Sequence, residues 1–149
     1  NIITDFTAGT GGDLMEFGDD LLNQGGAVVE TGAQVVQIAA KGVATGATTS
    51  IRVVTDADLL TVAADSTFAN IESDLDTLIA VGDTFLTLTS GATTDLISLV
   101  IDGGDGNSYV FTFLNASGAG SIVAGDTITL VNILEGVDTV DLVAGNFVA

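Results

Sequence analysis

The sequence predicts a mainly β fold, a β-sandwich or β-roll-like domain with one amphipathic helix at about residues 66–81. Three observations lead there. β-branched and aromatic residues gather in short runs, glycines punctuate those runs, and a single window changes from a period of two to a period of 3.6. The chain has 149 residues, which fits one domain (1–149) able to bury roughly two thirds of the surface its unfolded form would expose.

Taken in order, Ile2 to Phe6 reads as a short strand, Gly9 to Gly12 as a turn in which glycine permits a positive φ, and Leu14 to Phe17 as a second apolar piece. "AVVE", "QVVQIAA" and "SIRVVT" follow as β-branched, strand-like runs between glycines. Thr55 followed by Asp58 resembles a capping box, which allows a short helical turn over Asp56 to Ala64. From Ser66 to Val81, Phe68, Ile71, Leu75, Leu78 and Ile79 fall on one helical stripe; Asp65 or Ser66 can cap its start, and Gly82 stands where a C′ glycine belongs. The remainder is β-rich: "TFLTLTS", "DLISLVI", "YVFTFLN", "TITLVNI" and "TVDLVAGNFVA". Ile97, Leu99 and Ile101 share one face, as do Tyr109, Phe111 and Phe113, the pattern of a hairpin closed by "DGGDGN".

Composition excludes several classes of function. Twenty acidic residues against Lys41 and Arg52 give a net charge of -18, so self-repulsion opposes the compact state unless counterions absorb it, and divalent cations are the obvious ones. Nucleic acid and anionic membranes lack the Lys and Arg clusters they would need. Without Cys or His, zinc, copper, haem, thiol and imidazole chemistry are unsupported, and hard oxygen ligands remain. The apolar stretch "AVVETGAQVVQIAAKGVA" is interrupted by Glu30, Gln34, Gln37 and Lys41, so no membrane span is expected.

Two groups of residues can carry metal chemistry. Asp102, Asp105 and Asn107 set hard oxygen donors in a glycine-rich turn whose carbonyls can complete a calcium shell, although Asp, Gly and Asn are also the ordinary residues of a hairpin loop. Asp5, Asp13, Glu16, Asp19 and Asp20 form a second acidic group, read either as a cation site or as a solvated loop with helix caps. Carboxylate pairs are so numerous that they do not indicate glycoside hydrolysis, and no Ser or Thr has a His partner, so no enzymatic activity is expected. Arg52, inside an apolar run, is expected to pair with carboxylates.

The segment "ITDFTAGTGGDLMEF" resembles the junction where repeats-in-toxin calcium arrays end and the C-terminal domain of type I secreted bacterial proteins begins, approximated by D-x-I-x-D-F-x-x-G-x-D-x-[IL]-[DE]-[FL]. Ile3, Asp5, Phe6, Gly9, Asp13, Leu14, Glu16 and Phe17 match, with insertion around Gly11 and Gly12. The nonapeptide G-G-x-G-x-D-x-U-x is absent, "GGDGNSYVF" being a partial echo, and Asn1 stands where the motif usually has Asp. The resemblance implies calcium, extracellular or cell-surface localisation, a C-terminal export signal and, for Asp5, closure of a last calcium turn. It also implies a processed product or a portion of something longer.

These readings lead to one expected function: a calcium-stabilised structural subunit of a bacterial extracellular assembly, a homo-oligomer or polymer joined through strand edges, with no small-molecule substrate. The alternative is a C-terminal secretion and folding module of a larger type I secreted adhesin or hydrolase. A carbohydrate-binding module is disfavoured by the absence of Trp and the single Tyr109.

Overall fold

A computed structural model describes residues 1–16, 23–24, 27–28, 37–38, 51–54, 60–63, 66–80, 96–116 and 126–148. Over these the protein is mainly β with one helix, as the sequence predicts. The strands are β1 (Ile2–Ile3), β2 (Met15–Glu16), β3 (Asn23–Gln24), β4 (Ala27–Val28), β5 (Gln37–Ile38), β6 (Ile51–Val54), β7 (Leu96–Asp102), β8 (Ser108–Leu114), β9 (Thr127–Leu134) and β10 (Phe147–Val148), and the helix is α1 (Phe68–Ala80). Among the described residues they make one mixed sheet and a separate two-strand ladder, β10–β2.

The antiparallel ribbon β7–β8–β9 is the centre of the sheet. Across β7 and β8, Ile97 lies opposite Phe113, Leu99 opposite Phe111 and Ile101 opposite Tyr109, the pairing that the alternation predicts. β6 joins β7 in parallel and β1 joins β9 in parallel, which makes the sheet mixed. A bulge between Val110 and Phe111 sets Val131 out of register on β9.

Both faces of this ribbon are buried. One face gathers Leu99, Phe111, Phe113 and Leu130 under Ile71 and Leu75 of α1, with Leu60 and Val62 beside them. The other gathers Val100, Val110 and Leu134 with Met15, Val137, Leu142 and Phe147, and Ile3 and Phe6 pack at its margin. Apolar residues at successive positions of β7 and β8 therefore reflect burial on two sides rather than an exposed polar face.

Within α1, Ile71 and Leu75 are buried as the stripe requires, whereas Phe68 is 39 % exposed at the first turn. The cap is Thr67 rather than Ser66: its carbonyl takes the first helical bond from the Ile71 N–H, its Oγ1 accepts from the Asn70 N–H at 3.3 Å, and the Asn70 Oδ1 accepts from the Thr67 N–H at 3.2 Å. This reciprocal pair satisfies two amide donors that a helix start leaves open. Asp65, Gly82, the side chains of Leu78 and Ile79, and the expected strand "TFLTLTS" lie outside the described residues. Residues 60–63 carry no helical turn, and the rest of the expected 56–64 turn, apart from these four residues, also lies outside.

The last segment departs from a simple strand. Residues Thr139–Asp141 and Ala144–Asn146 form two 3-10 turns, and only Phe147–Val148 is extended. The Asp138 side chain caps the first turn by accepting from the Val140 N–H at 3.0 Å. Asn146 is fully buried and uses its whole side-chain amide. Its Oδ1 accepts from the N–H groups of Gly9 and Val143, both at 3.0 Å, while Nδ2 donates to the carbonyls of Gly9 at 3.2 Å and Asp13 at 2.9 Å. One side chain thus pins the N-terminal turn, whose Gly9 and Gly11 take φ of 92° and 80°, onto the second face of the sheet.

Removing a fully buried ring, by Phe111→Ala, should cost about 3–5 kcal/mol in denaturant unfolding. Asn146→Ala should cost about 2 kcal/mol or more by orphaning backbone groups, and should speed hydrogen exchange at Gly9 ahead of β8 amides.

Candidate functional site

The turn between β7 and β8 holds the first of the two groups that the sequence singles out, Asp102, Asp105 and Asn107. Asp102, the last residue of β7, is 5 % exposed, and its Oδ1 accepts from the Gly104 N–H at 2.6 Å. The Gly103 N–H donates to the Asn107 carbonyl at 3.0 Å and closes the loop. Gly103 has no room for a side chain, since a Cβ there would run into the ring of Tyr109. The loop backbone therefore packs closely against the Tyr109 ring and the Asp105 carboxylate.

Asp105 is exposed but fully engaged within the turn. Its Oδ1 accepts from the Asn107 N–H at 3.1 Å, and its Oδ2 accepts from Asn107 Nδ2 at 2.8 Å and from the Tyr109 hydroxyl at 2.7 Å. Asn107 Oδ1 in turn accepts from the Gly136 N–H at 2.9 Å, so Asn107 acts as a tie between this turn and the turn after β9. The Ser108 hydroxyl reinforces the same junction by donating to the Val137 carbonyl at 2.7 Å.

That junction delivers a residue which the sequence analysis missed, Asp138. Burial pushes the Asp102 carboxyl above the usual carboxylate range; the Gly104 N–H pulls it back, and Asp138, by charge and by a side-chain hydrogen bond, pushes it up again, with a further push from Asp105. Two carboxyl groups that face each other repel when both are ionised, and a proton or a cation relieves that repulsion. Tyr109 is likewise pushed up to about 12, by burial and then by its bond and proximity to the Asp105 carboxylate. Next to Asp138, the buried Thr139 Oγ1 has no hydrogen-bond partner among the described residues. The signal for Asp138 was its place two residues beyond Gly136, but only the β8–β9 register shows that this turn meets the Asp102 loop.

The donor set of Asp102, Asp105 and Asp138 is all hard oxygen, which suits calcium rather than a softer metal. Its fit has a limit. Among the described residues no group of three or more His, Cys, Asp or Glu side chains converges closely enough to hold a metal ion by itself. An ion here needs carbonyl oxygens or water as well, and Asn107 would have to release a hydrogen bond to join it.

Asp5 and Asp13 line a different groove, with Ile3, Phe6, Leu14 and Met15. Both are exposed, and Asp13 Oδ2 accepts from the Thr7 N–H at 2.7 Å, so this carboxylate braces the N-terminal turn. Asp19, Asp20 and Lys41 and the side chain of Arg52, with its expected ion pair, lie outside the described residues. Among the described residues no helix is long and apolar enough to cross a membrane. No protein family, curated protein or solved structure matches the chain.

Two pH dependences follow. The folded value of Asp102 lies above its ordinary 3.8, so the stability it contributes is complete below that value and is lost as pH rises through the raised one. In chelator, Asp102→Asn should therefore melt higher than the parent at pH 7, and this gain should vanish below about pH 3.8. For Tyr109, stability present below pH 10 is lost towards about 12. Tyr109→Phe should lose about 1–2 kcal/mol at pH 8 and show a flatter decline over that alkaline window in thermal melts.

Proposed function

We propose that the protein is a calcium-stabilised structural subunit of an extracellular bacterial assembly, joined to its neighbours through strand edges. The observation that carries this reading is the approach of Asp138, in the turn after β9, to the nearly buried Asp102 at the end of β7. Two carboxyl groups brought together at a nearly buried position repel when both are ionised, and a divalent cation removes that repulsion without a proton. The net charge of -18 sets the same demand for the molecule as a whole.

Edge joining has support from β1. This strand covers β9 with only two residues, and its Ile2 is 60 % exposed at the margin of the sheet, with no described Lys or Arg to guard it. Calcium bound at the acidic turn lowers the repulsion between approaching copies, and open main-chain groups then pair. No substrate is turned over in this scheme.

The alternative, a folding module of a larger type I secreted protein, is favoured by one observation. The residues that carry the junction-like motif, Ile3 to Glu16, are integral to the fold, held by β9, by Asn146 and by the β10–β2 ladder. Negative-stain microscopy and size-exclusion chromatography with millimolar calcium and with chelator separate the two readings. The assembly reading expects ordered polymers with calcium and dispersed monomers without it; a monomer under both conditions selects the module.

A further inference from the structure

β9 has an edge that β1 covers only in part. The bonds along it run from the Asn1 ammonium, which donates to the Val131 carbonyl at 2.9 Å, through the Ile133 N–H donating to the Asn1 carbonyl, to the Glu135 N–H donating to the Ile3 carbonyl. Upstream of Val131 no described strand pairs with Thr127–Leu130 on that side, β8 lying on the other. The Leu130 N–H instead donates across the gap to Glu72 Oε1 of α1 at 2.7 Å. Because outward-facing main-chain groups recur at every second residue, the N–H and carbonyl of Ile128 face the same side as those of Leu130, where no described strand lies.

A groove of about 400 Å³ lies along this edge, lined by Ala69, Glu72, Ser73, Asp76, Asp126 and Ile128. Its walls differ in character. Ile128 is half-buried against the core and offers an apolar rim, whereas Glu72 and Asp76, one helical turn apart, place two carboxylates on the facing wall, and the nearly buried Asp126 adds a third acid at the end. None of the described residues lining it is basic. Strand donors and acceptors that no described strand pairs, beside an acidic wall, are what an extended, positively charged segment needs: main-chain pairing gives affinity, and the charges select the side chains.

We propose that Thr127–Leu130 and the acidic face of α1 form a docking groove for a short, extended, lysine- or arginine-bearing segment of a partner protein, added to β9 in line with β1. A second copy of this chain brings little positive charge to the acidic wall. Its only basic residues are Lys41 and Arg52, and Arg52 sits in β6, already paired between β5 and β7. The proposal does not depend on calcium or on self-assembly, so it stands or falls separately from the reading above.

The test uses capped pentapeptides that alternate valine with lysine, the same peptide N-methylated at the amides that would pair, and a valine–glutamate control. They are titrated into the full chain with amide NMR shifts and hydrogen exchange as readouts. The lysine peptide should shift and protect the Ile128 amide, the N-methylated form should lose that protection, and the glutamate peptide should not bind. Glu72→Gln combined with Asp76→Asn, which keeps an acceptor for the Leu130 N–H, should weaken the lysine peptide about tenfold, while Asp141→Asn, outside the groove, should not. Equal binding of the N-methylated peptide, an unchanged affinity in the double variant, shifts confined to other surfaces, or no binding at all would each overturn it.

Discussion

Twenty acidic side chains and two basic ones have to share one folded body, and the placement of the acids shows how that constraint is met. Most of the described ones are exposed, where water screens them, including Asp5, Asp13, Asp74, Asp76 and Glu135. Several, exposed or partly so, also take up main-chain donors: Asp13 serves Thr7, Glu72 serves Leu130, Asp105 serves Asn107 and Asp138 serves Val140. In those roles a carboxylate replaces water at an amide that would otherwise lack a partner, and its charge strengthens the bond. Asp102 differs, because it is nearly buried and has another carboxyl group against it.

The reason that Asp102 is buried lies in the sheet. Its pairing with Ser108 ends the β7–β8 ladder, and the strands leading into it are covered on both faces, by α1 and residues 60–63 on one side and by the N-terminal turn and the 3-10 turns on the other. The Val62 N–H reaches the Gly103 carbonyl at 3.0 Å, so the first covering layer also grips the turn itself. Packing of the core and geometry of the acidic turn are therefore one problem: the layers that bury Phe111 also shut the loop that holds Asp102.

Sequence alone made the local half of this legible. Alternation of Ile97, Leu99 and Ile101 against Tyr109, Phe111 and Phe113 fixes a face and a hairpin, because both depend on near neighbours and a turn of suitable residues. Ile71 and Leu75 were legible for the same reason, through the helical period. What could not be read is what closes over long separations. A period of two says which side chains share a face but not which strand lies alongside, so the parallel joins of β1 to β9 and β6 to β7 carry no local mark. Asn146 resembled any polar residue near a glycine, yet it bridges a separation of 137 residues to Gly9. Asp138 is similar, since its significance depends on the turn after β9 meeting the turn after β7. The cap of α1 moved to Thr67 because Asn70 returns its bond, a reciprocity that a search for Glu or Gln at that place overlooks.

If buried and crowded carboxylates are stable here because a cation sits among them, the melting temperature must depend on that cation directly. Calorimetric melts of the unaltered chain at low ionic strength, in millimolar calcium and in chelator with matched monovalent salt, measure this. The account predicts a clear rise in melting temperature with calcium that saturates and that matched sodium does not reproduce. Coincident melts in calcium and in chelator would contradict it.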